Sequence, residues 1–187
     1  IVAPGASAGI LSTAGNSAFG DNSTFSIEIG GTTVGTLYDQ LNVTGTVTIG
    51  NNVTLSLAQI NAFVPVVGNT FTIIENDAAD AVTGTFNGLA EGTLINGFLG
   101  SGLDASISYV GGSGNDVVLT ALAAATTTVS LDGNDLKIED TGLASTDTIT
   151  ISMDATSVTL NDPNNRFIVS GVAGATGDGT STVVVPL

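Results

Sequence analysis

Nine consecutive residues, Gly111 to Leu119 (GGSGNDVVL), carry the clearest metal-binding pattern in this 187-residue chain. They match G-G-x-G-x-D-x-U-x, a nonapeptide whose stacked turns hold calcium. Asp116 would supply a carboxylate and Asn115 a carboxamide oxygen. Calcium takes roughly six to eight oxygens. In such stacks the ion lies between successive turns, so one copy supplies half a ligand set. The pattern occurs once. The nearby loop DGND, Asp132 to Asp135, is the one candidate to complete it, so the calcium ligands would be Asp116, Asn115, Asp132 and Asp135. The competing reading is a glycine turn in which Asp116 bonds the backbone, and the ligand count favours it.

Other chemistry is scarce. Histidine and cysteine are absent, which removes Ser-His-Asp triads, His-ligated zinc, thiolate sites and disulfides. No G-x-x-x-x-G-K stretch exists to cradle a phosphate. A carboxylate pair for glycoside chemistry stays open among 17 acidic residues. Sugar-active sites usually add aromatic platforms and cations, and this chain has seven Phe, two Tyr, no Trp and two basic residues. The reading is therefore that the protein is not an enzyme and takes no cofactor, calcium at the Gly111 stretch being the one open alternative. NDPNN, Asn161 to Asn165, reads as a turn rather than a cation site. Asn22, Asn42 and Asn52 each open an N-x-S/T sequon, which a threonine-rich chain produces by chance.

Charge narrows the partners. The formal net charge is −15, and Lys137 and Arg166 are the only cations. Residues 1 to 122 contain neither Lys nor Arg. Such a surface repels phosphate backbones and anionic headgroups, which excludes nucleic acid as a partner. No apolar run reaches membrane-spanning length, so no membrane insertion is expected. The chain begins at Ile1 and reads as a processed or excised piece of a longer precursor, from which any signal peptide has gone.

The elements that must position these groups are strands. In TFSIEI, Phe25, Ile27 and Ile29 alternate with Thr24, Ser26 and Glu28. VTGTVTI sets Val43, Val47 and Ile49 against Thr44, Thr46 and Thr48, and VTLSL continues with Val53, Leu55 and Leu57. Period-two alternation of β-branched and polar residues predicts half-buried strands. About fourteen strands follow at spacings of roughly 8 to 12 residues, punctuated by Gly, Asn and Asp turns. The best helical stretch, Ala121 to Ala125, is too short to stand alone. It marks a boundary between a module at 1–122 and a smaller all-β module at 123–187, with strands at 127–131, 135–139, 147–153, 157–161, 166–170 and 181–186.

Beyond pattern, residues 28–57, EIGGTTVGTLYDQLNVTGTVTIGNNVTLSL, followed by Gly68 to Ile74, Val82 to Gly92 and Ile107 to Thr120, form an ordered set of motifs. Over about residues 20 to 120 the chain resembles the distal β-helical region of bacterial autotransporter-type and large surface proteins. Leu131 to Asp140, Asp147 to Ser152, Val158 to Asn165 and Val183 to Leu187 are similar to tandem segments of large secreted planctomycete-type proteins. The stretch 95–106 is longer and richer in glycine than the resemblance implies, and no outer-membrane barrel follows.

The expected fold class is all-β: a parallel β-helix (solenoid) or β-rich module followed by a smaller β-sandwich-like module. The resemblance implies a secreted or bacterial cell-surface scaffold without common catalytic residues. The expected role is structural, a scaffold or self-assembling fibre subunit, with an adhesin or carbohydrate-binding module as the alternative. Self-association would run through edge strands, and Thr180 to Leu187 is a candidate donor or an internal edge strand of its own module. A glycan stands as the other partner.

Overall fold

The computed structural model describes all residues except 78–79, 125, 134, 141–147, 163–165 and 179. Sixteen strands and no helix occur among the described residues. The chain divides into two compact units, Ile1–Leu122 and Ala123–Leu187.

Unit 1 begins with two turns of chain that repeat one another. The first comprises β1 (Ile10–Thr13), β2 (Ser17–Phe19) and β3 (Thr24–Ile29); the second comprises β4 (Gln40–Val43), β5 (Val47–Ile49) and β6 (Thr54–Gln59). Each strand pairs in parallel with its counterpart one turn on: Ile10 with Gln40, Ser17 with Val47, Thr24 with Thr54, an offset of 30 residues every time. A third turn follows with a longer offset. In it, β7 (Thr70–Asn76) lies parallel to β4, Leu41 facing Ile74, and Thr83 bridges Thr48.

Alternation dictates which side chains these turns enclose. Phe25, Ile27 and Ile29 of β3 are buried, as are Val43, Val47 and Ile49, while Thr44, Thr46 and Thr48 face water. A fully buried side chain of this size contributes about 1.5–3 kcal/mol. Phe19, Phe25 and Phe86 form one aromatic cluster, with Phe19 edge-on to Phe25 at 5.0 Å and Phe86 stacked on Phe25 at 6.0 Å. Tyr38, Phe71 and Phe98 form another.

The corners carry their own ladder. Asn22 and Asn52 both adopt left-handed backbone, φ 61° and 56°, and the Asn52 Nδ2 donates to Asn22 Oδ1 at 2.8 Å. Asn51 N donates to Asp21 Oδ1 at 2.7 Å. Short polar side chains tolerate this conformation and bond locally. Beside this corner the successive turns touch: a Cβ at Gly50 would lie 2.7 Å from Phe19 O and 2.6 Å from Asp21 Oδ1.

After β7 the pairing changes sense. β8 (Leu94–Phe98), β9 (Leu103–Gly111) and β10 (Asp116–Leu122) form an antiparallel meander whose last strand pairs antiparallel with β7. The resulting sheet has the order β1-β4-β7-β10-β9-β8. The glycine-rich stretch 95–106 becomes the β8–β9 hairpin, with Leu99, Gly100 and Gly102 at positive φ. Ala121 and Leu122 close β10 as strand, because Ala121 is buried and paired with Ala105; residue 125 of the short helical candidate lies outside the described residues.

Unit 2 contains two three-stranded sheets. In the first, β11 (Thr126–Asp132) lies between β12 (Asp135–Asp140), antiparallel, and β15 (Arg166–Ser170), parallel. In the second, β14 (Ser157–Asn161) lies between β13 (Thr150–Met153) and β16 (Thr182–Pro186), both antiparallel. Val129 and Phe167 from the first sheet join Leu160, Val183 and Val185 from the second in one core.

Candidate functional site

The Gly111 stretch forms the turn between β9 and β10. Gly112 has φ +54°, and a Cβ there would sit 1.8 Å from Asp116 Oδ2, so the turn requires glycine. Asp116 is 6% exposed, and its carboxylate accepts two backbone bonds: Asn76 N to Oδ1 at 2.9 Å and Ser113 N to Oδ2 at 3.2 Å. Asn115 Nδ2 donates to two carbonyls, Asp77 O at 2.8 Å and Asp80 O at 2.9 Å, while Ser113 Oγ donates to Asn115 Oδ1 at 2.8 Å. Asp116 thus bonds the backbone as the turn reading requires, and it does so across to the end of β7.

Asp132 and Asp135 belong to unit 2, where they pair with each other across the exposed β11–β12 hairpin. Asn115 and Asp116, with which they are expected to share calcium, belong to unit 1. The structure brings Asn76, Asp77 and Asp80 to Asn115 and Asp116, and none of the three is among the expected ligands. Their signal was the polar cluster that ends a strand, ENDAAD at 75–80. Among the described residues no three His, Cys, Asp or Glu side chains form a metal-holding group.

Buried carboxylates elsewhere follow the same rule. With no Lys or Arg in residues 1–122, backbone N–H groups take the place of cations. Asp39, 1% exposed, accepts from Gly9 N through Oδ1 and from Glu28 N through Oδ2, both at 2.8 Å. Asp104 accepts from Gly97 N at 2.9 Å. In unit 2, buried Asp162 accepts from Thr148 N at 3.2 Å; residues 163–165, where the NDPNN stretch was expected to turn, lie outside the described residues. Lys137 pairs with Glu139 at 2.8 Å on half-exposed side chains, a contact of small energetic weight.

Two tyrosines are perturbed. Burial pushes the Tyr109 hydroxyl up to about 12, the hydrogen bond from Phe86 N works against that, and the nearby Glu91 charge adds to it. Burial likewise raises Tyr38, opposed by a bond with the Thr72 backbone and helped by Glu75. The Tyr109 hydroxyl accepts from Phe86 N at 2.9 Å and donates to Leu89 O at 2.7 Å. Both phenols are part of the core. On the surface of unit 2, backbone bonds from Thr156 and Ser157 and the Thr156 hydroxyl hold Asp154 below the usual carboxylate range.

Three surfaces bear on the expected self-association through edge strands. β1 is an edge strand whose Ile10 and Leu11 are 47% and 41% exposed. β13 is an edge strand with Ile151 and Met153 exposed. The segment 180–187 is placed differently. Its strand β16 pairs with β14 on one side, Thr176 bonds Val184 on the other, and Val183 and Val185 are buried. The sequons divide as well: Asn22 and Asn52 lie on exposed corners, and Asn42 lies on β4 with its Nδ2 donating to Glu75 Oε2 at 3.3 Å. Eight of the nine aromatic side chains are buried, and Phe63 is partly buried, so no exposed aromatic platform exists among the described residues.

No protein-family model matches the chain, and no curated protein or solved structure is significantly similar to it.

Proposed function

We propose that this chain is a non-enzymatic structural module of the cell exterior, secreted or displayed on a bacterial surface, that assembles through the edges of its sheets. Its unit 1 reads as a short parallel β-solenoid and its unit 2 as a small β-sandwich-like module. The constant 30-residue offset of three parallel ladders supports the solenoid reading.

One observation carries the assembly reading. Gly45 and Gly50 press against the preceding turn, where a Cβ would come within 2.6 Å of Asn16 or Asp21 side-chain oxygens. Gly15 and Gly20 occupy the same positions one turn earlier, and a Cβ on either meets nothing within 4 Å. Glycine stands there although nothing inside the chain demands it. A second copy laid against this edge would supply the demand. The edge also lacks the charges, prolines and bulges that usually protect one: residues 10–20 contain no charged side chain in a chain of net charge −15. Two copies meeting β1 to β1 would form a two-fold, self-complementary contact.

The glycan-binding alternative has less support, because the aromatic rings that would stack on sugars lie in the core.

Sedimentation and electron microscopy of the whole chain test the assembly reading. Association should rise with concentration and with salt, which screens the mutual repulsion of acidic copies. Leu11→Lys should leave the melting temperature unchanged and abolish association. Removing Thr180 to Leu187 is a poor test, since it strips Val183 and Val185 from the core. A wild-type chain that stays monomeric to millimolar concentration, or a Leu11→Lys chain that assembles equally well, refutes the reading.

A further inference from the structure

We propose that the meeting of Asn76 and Asp80 with the Gly112–Asp116 turn is a calcium site, built from Asn76, Asp80 and Asp116 rather than from the four ligands the sequence pattern suggested. The inference is independent of how copies associate.

Two buried oxygens carry it. Asn76 is 2% exposed and its Oδ1 has no hydrogen-bond partner. Asp80 Oδ2 is likewise buried and without a partner. These atoms belong to one hydrogen-bonded knot. Asn76 Nδ2 donates to Asp80 O at 2.7 Å, so the amide that carries the orphaned Oδ1 is tied to the Asp80 backbone. Asn76 N in turn donates to Asp116 Oδ1, and Asn115 Nδ2 ties Asp77 O and Asp80 O to the turn.

A buried acceptor without a donor is costly, and a buried carboxylate oxygen more so. The usual remedies are a cationic side chain or a backbone N–H. Residues 1–122 offer no Lys or Arg, and the nearby amides of Asn76 and Ser113 are already given to Asp116. A hard cation satisfies several such oxygens at once. The available donors are carboxylates, a carboxamide and backbone carbonyls. That is the mixed, all-oxygen set that calcium accepts, whereas magnesium demands stricter geometry and keeps its waters, and zinc prefers nitrogen and sulfur. Two carboxylates give a weak site, in the range of about 10⁻⁴–10⁻³ M typical of extracellular modules.

Calorimetric titration, thermal melting and two-dimensional amide NMR of the whole chain with calcium chloride test the site. From chelator to 10 mM calcium the melting temperature should rise by roughly 3–6 °C, as expected when ligand is about tenfold over its dissociation constant. Amide shifts should concentrate at Asn76, Asp80 and Ser113 to Asp116, and magnesium should give a smaller response. Asp80→Asn keeps the shape and removes the charge. It should abolish the calcium response, yet in chelator melt no lower than wild type, because it removes an oxygen that lacked a partner. An aspartate with a purely structural role would lower both melts on substitution. Identical wild-type melts with and without calcium would overturn the proposal. So would shifts spread over the acidic surface, equal responses to both metals, or an unchanged calcium response in Asp80→Asn. Where that variant fails to fold by circular dichroism, the wild-type titration and the location of its shifts decide alone.

Discussion

Replacing Asp39 by asparagine tests the idea that backbone amides stand in for cations in unit 1. Asp39 is 1% exposed and accepts two 2.8 Å bonds, one from Gly9 N, 30 residues away, and one from Glu28 N, 11 residues away. Its own N–H donates back to Glu28 O at 3.0 Å, so the side chain pins the start of β4 to the neighbouring chain. Asparagine is nearly isosteric but offers one acceptor where the carboxylate offers two. Its NH₂ would face an N–H, losing one charge-assisted bond and leaving a donor unmet. A bond to a charged group contributes about 1.5–3 kcal/mol and an unmet buried donor costs about 1–3 kcal/mol. The two overlap, and the Gly9 bond is only partly buried, so the expected loss is about 2–4 kcal/mol. For a unit of this size that lowers the melting temperature by roughly 10 °C. Tyrosine emission under urea is the assay, because Tyr38 and Tyr109, the only tyrosines in a chain without Trp, both lie in unit 1. Asp21→Asn is the control. Asp21 also accepts a backbone bond, from Asn51 N at 2.7 Å, but it is exposed, so about 0.5 kcal/mol is expected. Asp39→Asn within about 0.5 kcal/mol of wild type, or no different from Asp21→Asn, would refute the reasoning.

Two further outcomes follow from the same geometry. The Tyr109 hydroxyl is raised to about 12 in the folded chain, against an ordinary tyrosine near 10, so its contribution is whole below about pH 10. It is lost as pH climbs from there through the folded value, by an amount on the order of 2 kcal/mol. Tyr109→Phe should flatten that alkaline limb, leaving the part due to Tyr38, and should destabilise at neutral pH by about 1–3 kcal/mol because Phe86 N and Leu89 O lose their partner. Equal alkaline slopes for both proteins would rule this out. Gly50→Ala should cost about 1–3 kcal/mol by forcing the turns apart, while Gly20→Ala, with open space beside it, should change chemical stability by less than about 0.5 kcal/mol. Equal costs at the two positions would remove the contact argument.

Much of the local architecture was legible in the residues. Phe25, Ile27 and Ile29 are buried because alternation at period two leaves a strand one apolar face, whatever it pairs with. The Gly111 stretch was legible as a turn because left-handed backbone at Gly112 needs glycine. A further signal was present and went unread. Gly15, Gly20, Asn22, Thr24 and Ser26 recur as Gly45, Gly50, Asn52, Thr54 and Ser56. That 30-residue spacing is the one the parallel ladders use.

Sequence alone determined that this chain is built of strands, that its turns rest on Gly, Asn and Asp, and that it carries neither histidine nor cysteine. These are properties of single residues and near neighbours, set by sterics, polarity and charge. Only the tertiary structure decided which distant groups meet. It placed Asp116 against Asn76, 40 residues away. It buried Val183 and Val185 in their own core instead of leaving them free to pair elsewhere. Partner choice between strands depends on register and on burial summed over the whole unit, and no short stretch of residues encodes that sum.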